Sequence, residues 1–229
     1  GAARNGMKTR LRFLISAGPT REYLDPVRFI SNPSSGAMGI AVAAAARAAG
    51  HAVTLVLGPT HLRPPAHVET YNVVTAAEMH DAVLRALPAC DVLVMTAAVG
   101  DYRAARRRSR KLHKRGAPLT LRLIPTSDIL KDAAKRAHGQ VLIGFAAETD
   151  NVCASAARKL AEKDVDLIIA NEVGGADVGF GADSLRAWLL WRDGRRRELG
   201  RVKKVALARC LIAAAEDLAR RRRAATASA

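Results

Sequence analysis

A polar loop between a predicted strand at 11–16 and an alanine-rich run at 40–49 carries residue types that suit a bound anion. The loop reads Arg28-Phe29-Ile30-Ser31-Asn32-Pro33-Ser34-Ser35-Gly36-Ala37-Met38-Gly39. A strand, a glycine-bearing loop and a helix in this order direct backbone N–H groups and the positive helix end at an anion. The small residues 34–36 let a phosphate approach the backbone, and Asn32 can both donate and accept hydrogen bonds. A simpler interpretation, in which Ser35 only caps the helix, stays open.

A second polar segment follows the predicted strand at 92–96 and contains a carboxylate and two lysines. It reads Ala97-Ala98-Val99-Gly100-Asp101-Tyr102-Arg103, with Lys111-Leu112-His113-Lys114 further along the chain. Small residues at a strand end let a ribose or a base come close, and the Asp101 carboxylate can accept hydroxyl groups or help to hold Mg²⁺. The lysines lie in a long basic connection, 100–118, that can fold over the phosphates of a ligand. A solvated basic loop explains the same residues equally well.

A third segment, Gly144-Phe145-Ala146-Ala147-Glu148-Thr149, leads into a predicted helix that bears Lys159 and Lys163. The i, i+4 spacing places both ammonium groups on one helix face, which suits a triphosphate. Glu162 lies close in sequence and would neutralise part of that charge. Taken alone, the two lysines predict only a solvent-exposed helix surface.

The apolar pattern predicts alternating strands and helices over most of the chain. The strands are short and aliphatic, as strands buried on both faces of a sheet should be. They are predicted at 11–16, 53–57, 68–73, 92–96, 141–146 and 167–170. Helices are predicted at 35–49, 76–86, 127–137 and 150–163, with Gly50 as the C-cap of the first. This order is typical of an α/β fold with a doubly wound, mostly parallel sheet.

The last part of the chain breaks that alternation. Residues 185–191 and 195–199 predict a small hairpin around Asp193-Gly194, and a helix is predicted at 203–221. Residues 119–124 are strand-like and follow the basic connection. Since no repeat or linker is visible, one domain is predicted over 1–229, with an ordered core at about 10–222. Ligands of open parallel sheets bind beyond the carboxyl ends of the strands, where the polar segments 17–35, 97–115 and 146–150 are expected.

The composition narrows the class of protein. Hydrophobic residues make up 49% of the 229 residues and aromatic residues only 4%, which predicts a tight aliphatic core. No apolar run reaches the roughly 18 residues of a membrane span, and the first residues lack the apolar centre of a signal peptide. The three cysteines form no CxxC pair. We therefore expect a reducing cytoplasm and no zinc site or disulfide framework.

The net charge of +16 requires that nucleic acid be considered as a partner. Basic clusters lie at 103–115, 195–197 and 220–223. However, the aromatic residues of a single-strand platform and the spacing of DNA-binding motifs are absent. The run at 220–223 is interpreted as a solvated helix end, where cations complement the helix dipole. A nucleic-acid-binding module therefore remains an alternative, although no nucleic-acid-binding motif in the sequence supports it.

An NAD(P)-dependent reductase of Rossmann type is the second alternative. The first loop has no compact GxGxxG, and no acidic residue follows Leu57-Gly58-Pro59 to hold a ribose hydroxyl. None of the tyrosines at 23, 71 and 102 has a lysine four residues later, as the short-chain reductases require. A standard NAD site is therefore not expected.

Together the polar segments resemble one family, the bacterial phosphopantothenoylcysteine synthetases, also called phosphopantothenate–cysteine ligases. The resemblance runs from about residue 11 to 218 and rests on ordered motifs at matching spacing. These are Asp25-Pro26-Val27-Arg28-Phe29-Ile30-Ser31-Asn32 with Ser34-Ser35-Gly36, then Asp101-Tyr102-Arg103, Gly144-Phe145-Ala146-Ala147-Glu148-Thr149 and Ala170-Asn171. The resemblance implies a Rossmann-like fold, a homodimer and a stand-alone synthetase without the flavin-dependent decarboxylase domain to which many members are fused.

The resemblance also implies a reaction and a set of site residues. The carboxylate of 4′-phosphopantothenate attacks the α-phosphate of a nucleoside triphosphate, usually CTP with Mg²⁺, and the amine of L-cysteine then displaces CMP. Asn32 corresponds to an asparagine that handles the acyl-nucleotide, and Lys111 to the first lysine of a flexible flap, so both are the expected catalytic residues. The positions that correspond to nucleotide-binding residues are Met95, Thr96, Ala97, Asp101, Lys111, Ser127, Asp128, Ile129, Leu130, Phe145, Lys159 and Lys163. Ser34, Ser35 and Gly36 are the expected phosphate loop, and Asp101 is the expected Mg²⁺ ligand.

Three positions depart from the family pattern. His113 replaces the middle lysine of the flap motif, so the charge of the flap would depend on pH. Ala37 stands where many members carry Lys or Arg. Pro125-Thr126-Ser127-Asp128 replaces the usual Lys-Asn-Pro-Asp, which leaves CTP and ATP open as the nucleotide.

Overall fold

The computed structural model describes residues 9–114, 116, 118–148, 150–172 and 183–227. Arg115 and Thr149, which belong to the segments singled out above, lie outside these ranges. The strands of the main sheet are β1 (Arg12–Ala17), β4 (Ala52–Leu57), β5 (Glu69–Asn72), β6 (Val92–Met95), β9 (Val141–Glu148), β10 (Leu167–Glu172), β11 (Ser184–Trp191) and β12 (Arg196–Lys203). Two separate hairpins consist of β2 (Arg21–Tyr23) with β3 (Phe29–Ser31), and of β7 (Tyr102–Ala104) with β8 (Leu123–Pro125). The helices are α1 (Ala37–Ala48), α2 (Ala76–Ala86), α3 (Ile129–Arg136), α4 (Val152–Lys163) and α5 (Lys204–Ala227), with a 3₁₀ turn at Leu87–Ala89.

The main sheet has the order β12-β11-β10-β9-β6-β1-β4-β5. The strands from β10 to β5 pair in parallel, whereas β11 and β12 form an antiparallel hairpin at one edge. Central strands such as β6 are buried on both faces, which explains their unbroken aliphatic sequence. The predicted α/β fold with a mostly parallel sheet and a C-terminal hairpin and helix is therefore confirmed.

Two layers of helices cover the two faces of the sheet. Alternate side chains of β1 show the division, because Phe13 and Ile15 pack in one apolar cluster and Leu14 in the other. Helices α1 and α5 belong to the first cluster, and α2, α3 and α4 to the second. Helix α1 lies very close to the sheet, since a Cβ at Gly39 would overlap the side chains of Ala17 and Thr96. This close approach explains the alanine-rich composition of the helix.

Some element boundaries differ from the sequence prediction. Helix α1 begins at Ala37 and has Gly36 as its N-cap, in the left-handed region at φ 78°, so the prediction that Ser35 caps the helix is wrong. The C-cap is Ala49, and Gly50 follows it with φ 90° and donates its N–H to the carbonyl of Arg47. The basic connection is not without secondary structure, because β7 lies within it and pairs with β8, which is shorter than the predicted strand.

In the arginine run near the end of α5, Arg222 is partly buried and paired, whereas Arg220, Arg221 and Arg223 are exposed. Arg222 donates from Nη2 to Oδ1 of the buried Asp166 at 2.6 Å and from Nη1 to the carbonyl of Gln140. Arg223 lies 3.7 Å from Asp91, which also pairs with Arg12. Helix α5 is thus fastened to the amino-terminal edge of the sheet, and the interpretation as a solvated charge is wrong for Arg222.

A buried histidine at the end of the α1–β4 connection is bonded to α5. His51 accepts a hydrogen bond from the N–H of Leu11 at Nδ1, so its Nε2 donates to Glu216 of α5 at 2.9 Å. This bond joins α5 to the start of β4 beside the end of α1. Among the described residues, no helix has both the length and the apolar character to cross a bilayer.

Candidate active site

A cavity of about 750 Å³ lies at the carboxyl edge of the parallel strands. The three polar segments expected at this edge all contribute to it. The predicted residues that line it are Asn32, Ser34, Ser35, Met95, Thr96, Ala97, Asp101, Ser127, Asp128, Ile129, Leu130, Phe145, Lys159 and Lys163. Gly36 and Lys111 are not among its lining residues. The structure thus brings most of the predicted site together.

Asn32 is held at the centre of this edge by the strand end that follows β6. Its Nδ2 donates to the carbonyl oxygens of Ala98 and Val99, at 3.2 Å each. Because two carbonyls can pair only with the amide NH₂, these contacts fix the orientation of the side chain. The side chain therefore offers its Oδ1 as an acceptor rather than a donor.

The serine-bearing loop forms the entrance to α1. The hydroxyl of Ser34 accepts from the N–H of Gly36 at 3.3 Å, and the hydroxyl of Ser35 accepts from the N–H of Ala37 at 3.4 Å. Thr60 donates to the carbonyl of Ser35 at 2.6 Å and so supports the loop from the segment after β4. Both internal bonds are long, and an anion is a stronger acceptor for the same N–H groups.

Asp101 lies between the end of β6 and the β7–β8 hairpin. Its carbonyl accepts from the N–H of Thr126, and the Thr126 hydroxyl donates to the carbonyl of Gly100. The N–H of Gly100 in turn donates to Thr20 at 2.9 Å. This network fixes the backbone on both sides of the cavity, while Asp101 itself is exposed at the cavity wall.

The two lysines of α4 face the cavity rather than only solvent. Lys159 pairs with Glu148 at 2.7 Å, and Lys163 pairs with Asp128 at 3.2 Å. Asp128 also caps α3 by accepting from the N–H of Lys131. Glu162 lies 3.8 Å from Arg158, whereas the ion pairs of the two lysines are with Glu148 and Asp128. A phosphate that binds the two lysines must therefore compete with the carboxylates of Glu148 and of Asp128, of which Asp128 lines the cavity.

Lys111 is exposed and lies outside the cavity, but its neighbour Leu112 is anchored. The buried Asp25 accepts from the N–H of Leu112 at 3.0 Å, and from those of Val27 and Arg28 at 2.8 Å each. These bonds, that of Leu112 first, lower the pKa of Asp25 to about 2. Arg28 closes the arrangement by donating to the carbonyl of Leu112. The segment that carries Lys111 is thus fastened to the β2–β3 turn.

The structure also adds cavity residues that the sequence did not single out as site residues. Lys204, the first residue of α5, and Leu185 of β11 line the same cavity, as do Asn171 and Glu172 at the end of β10. Asn171 belongs to a quoted motif, but Lys204 lies in no recognisable pattern. Its place in the cavity depends on the path of the C-terminal hairpin, which returns α5 to the carboxyl edge of the sheet.

Comparison with known proteins identifies relatives of this chain. The chain is 43% identical over 193 residues to the "Coenzyme A biosynthesis bifunctional protein CoaBC" of Bacillus subtilis, a match that covers 84% of this chain and 48% of the relative. It is 45% identical over 188 residues to the protein of the same name from Escherichia coli K12, with 80% and 46% covered. The chain therefore spans about half the length of these curated relatives.

Solved structures also match this chain over most of its length. The crystal structure of the C-terminal domain of a CoaBC protein superposes with a TM-score of 0.78 at 40% identity, over 91% of this chain and 95% of that domain. A Cab2 mutant in complex with phosphopantothenate-cysteine superposes with a TM-score of 0.77 over 94% of this chain and 88% of that chain, but its 15% identity supports the fold alone. Since residues 8–218 match the family described as "DNA/pantothenate metabolism flavoprotein C-terminal domain", the chain belongs to that family.

Proposed function

We propose that this protein joins 4′-phosphopantothenate to L-cysteine in coenzyme A biosynthesis, through an acyl-nucleotide intermediate formed from CTP. The observation that carries the proposal is the single cavity that gathers Asn32, the serine loop, Asp101, Lys159 and Lys163. The relatives named for coenzyme A biosynthesis support it, as does the near-complete superposition on a CoaBC C-terminal domain.

The reaction needs charge neutralisation and positioning more than a protein nucleophile. In the first step a carboxylate oxygen of 4′-phosphopantothenate attacks the α-phosphate of CTP, and pyrophosphate leaves. In the second step the amine of cysteine attacks the acyl carbon, and CMP leaves. No cysteine lines the cavity in the described part of the chain, which agrees with direct transfer between substrates.

Each cavity wall has a part in this scheme. Lys159 and Lys163 are placed to neutralise the β- and γ-phosphates, and their partners Glu148 and Asp128 keep the ammonium groups oriented until the nucleotide binds. The strand end at 95–97 and the start of α3 enclose the nucleoside. Asn32, fixed by two carbonyls, lines the cavity and keeps its Oδ1 free to accept from the amine of the incoming cysteine.

A magnesium ion fits the residues that are present. In the described ranges, no three His, Cys, Asp or Glu side chains come together as a metal-binding group. Mg²⁺ in nucleotide-dependent enzymes usually binds one or two carboxylates together with water and substrate phosphates, and the exposed Asp101 carboxylate suits that mode. When bound, the ion supplies charge neutralisation for the phosphates. CTP as the nucleotide and Mg²⁺ as its ion are therefore both part of the proposed function.

A second copy of the chain is the proposed partner. The β2–β3 and β7–β8 hairpins lie beside each other and expose large apolar side chains, among them Phe29 at 41%, Tyr102 at 55% and Leu123 at 40%. Exposed apolar residues grouped in this way are typical of a protein–protein interface. Sedimentation equilibrium at micromolar concentration tests this: a dimer is expected, and a monomer contradicts it.

A pyrophosphate-release assay tests the function. We expect release only when 4′-phosphopantothenate, Mg²⁺ and a nucleoside triphosphate are all present, with CTP preferred over ATP, UTP and GTP. Addition of L-cysteine should then produce CMP. No release with any nucleotide would overturn the ligase, whereas a clear preference for ATP would overturn only the CTP assignment.

A further inference from the structure

The segment after β4 holds the entrance to α1 through one hydroxyl group. Thr60 is not among the residues that line the cavity, but its Oγ1 donates to the carbonyl of Ser35 at 2.6 Å. The same oxygen accepts from the N–H of Leu62 at 3.1 Å. Because the hydroxyl has a single proton and the N–H of Leu62 supplies its own, the hydroxyl proton is directed at Ser35. The contact therefore fixes the direction in which the Ser35 carbonyl points.

The carbonyl of Ser35 belongs to the same peptide unit as the N–H of Gly36. This unit is planar and trans, so the two groups point in opposite directions. The carbonyl points to Thr60, and the N–H donates to the hydroxyl of Ser34 at 3.3 Å. Ser34 lines the cavity, whereas Thr60 does not. The bond from Thr60 thus holds the N–H of Gly36 on the cavity side of the loop.

The glycine at position 36 explains why an outside contact is needed. Gly36 has φ 78° and ψ −1°, which are the values of the third residue in a type II turn. Rotation of the peptide before it produces a type I turn, which glycine also tolerates, and this rotation reverses the direction of the N–H. The rotated peptide would lose the bond from Thr60. The hydroxyl of Thr60 therefore favours the observed orientation over the reversed one.

Close packing of the backbone places Thr60 beside this peptide. A Cβ at Gly58 would overlap the carbonyl of Pro19, so the segment after β4 is pressed against the segment after β1. A Cβ at Gly36 would lie 3.2 Å from the backbone of Gly18 and 3.7 Å from Oγ1 of Thr60. The loop before α1 thus rests on the end of β1 and is held from the side by Thr60.

We infer that Thr60 is a positioning residue of the proposed active site, which keeps the N–H of Gly36 directed at a substrate phosphate. The inference rests on the proposed function, in which two of the substrates carry phosphates. It adds a residue outside the cavity that acts through the peptide between Ser35 and Gly36. A phosphate held by this loop binds more weakly when the hydroxyl is absent, because the donor must then be oriented at the moment of binding.

Steady-state kinetics of Thr60→Val test the inference, because valine keeps the shape of threonine and removes only the hydroxyl. Thr70→Val is the matched control, since Thr70 is also half-buried, lies outside the cavity and donates to a backbone carbonyl. We expect Thr60→Val to raise the KM of the substrate held by the loop, 4′-phosphopantothenate or CTP, by about 3- to 10-fold. The kcat and the KM for cysteine should stay within about twofold. Thr60→Ser and Thr70→Val should resemble wild type.

A double-mutant cycle with Ser34→Ala separates positioning from general destabilisation. If Thr60 acts through the loop, the effects of Thr60→Val and Ser34→Ala on the affected KM should be non-additive. Additive effects overturn the inference, as do equal losses in Thr60→Ser and Thr60→Val. If Thr60→Val does not fold, Thr60→Ala decides by the same measurements.

The outcomes distinguish the inference from the proposed function. A wild-type protein that turns over, together with unchanged KM values in Thr60→Val, overturns only the role of Thr60. A wild-type protein that releases no pyrophosphate overturns the proposed function. Calorimetric titration with inorganic pyrophosphate then decides the role of Thr60 separately. Binding that is about 3- to 10-fold weaker in Thr60→Val supports this role, whereas equal affinities, or no binding to either protein, overturn it.

Discussion

Replacing Asn32 by aspartate is the sharpest test of the cavity as a reaction centre. In the native side chain Nδ2 donates to two backbone carbonyls at 3.2 Å. In Asn32→Asp the same position is an oxygen that cannot donate, so two acceptors face a third. The substitution is similar in shape but exchanges two hydrogen bonds for two repulsive contacts. It also adds a negative charge where two anionic substrates must meet.

The size of the effect follows from these contacts. Two neutral hydrogen bonds contribute about 0.5–1.5 kcal/mol each, so the local loss is about 1–3 kcal/mol. Because Asn32 is only half-buried, part of this loss is recovered by water, and we expect Tm to fall by no more than about 6 °C. Repulsion of a few kcal/mol at the transition state adds to the kinetic effect. The rate of pyrophosphate release should therefore fall by roughly 100-fold or more.

Asn32→Ala is the matched control, since it removes the same hydrogen bonds without adding charge. We expect a loss of about tenfold in the alanine variant, which lies between wild type and Asn32→Asp. Circular dichroism and thermal melting check that both variants fold. A folded Asn32→Asp protein with wild-type turnover would remove Asn32 from the site. Equal losses in the two variants would refute the electrostatic part of the reasoning and leave only the geometric part.

Three further predictions concern residues that do not line the cavity. Arg222→Ala should cost about 2 kcal/mol of stability, or about 4–8 °C in Tm, because it leaves the buried Asp166 without its closest cation. The control Arg220→Ala, whose pair with Asp217 is exposed, should change Tm by less than about 2 °C, and equal shifts in the two variants would contradict the fastening role of Arg222. The pKa of Asp25 is about 2 in the folded protein and 3.8 for an unperturbed aspartate, so its contribution to stability is present above pH 3.8 and is lost as pH falls from there through 2. The free energy of unfolding should therefore fall less steeply over that range in Asp25→Asn than in wild type, and parallel curves of this free energy against pH would contradict the reasoning. Lys111→Gln should lower turnover without changing the far-UV spectrum, and CTP should slow tryptic cleavage after the arginines at 106–110; normal turnover together with ligand-independent cleavage would mean that the segment is only a solvated loop.

Local signals in the sequence were sufficient for most of the fold. Helix α2 spans Ala76–Ala86 as predicted, because Thr75 and Glu78 form a capping box within four consecutive residues. Strands such as β6 could be located because burial on both faces requires an unbroken aliphatic run. The polar segments of the site followed from the rule that parallel strands end at one edge, which needs only the order of the elements.

Partners that are distant in sequence could not be predicted in the same way. Arg222 looked like a solvated charge until the structure placed it on Asp166, 56 residues away, and Lys159 meets Glu148 rather than the adjacent Glu162. Lys204 carries no local mark of function, and only the return of α5 to the carboxyl edge brings it to the cavity. The sequence by itself determined the helices, most strands of the main sheet and which loops share an edge, since these depend on local burial and periodicity, whereas the β2–β3 hairpin and β7 were not predicted. The tertiary structure decided which charges are paired and with which partners, because pairing depends on distances between elements that no local pattern encodes.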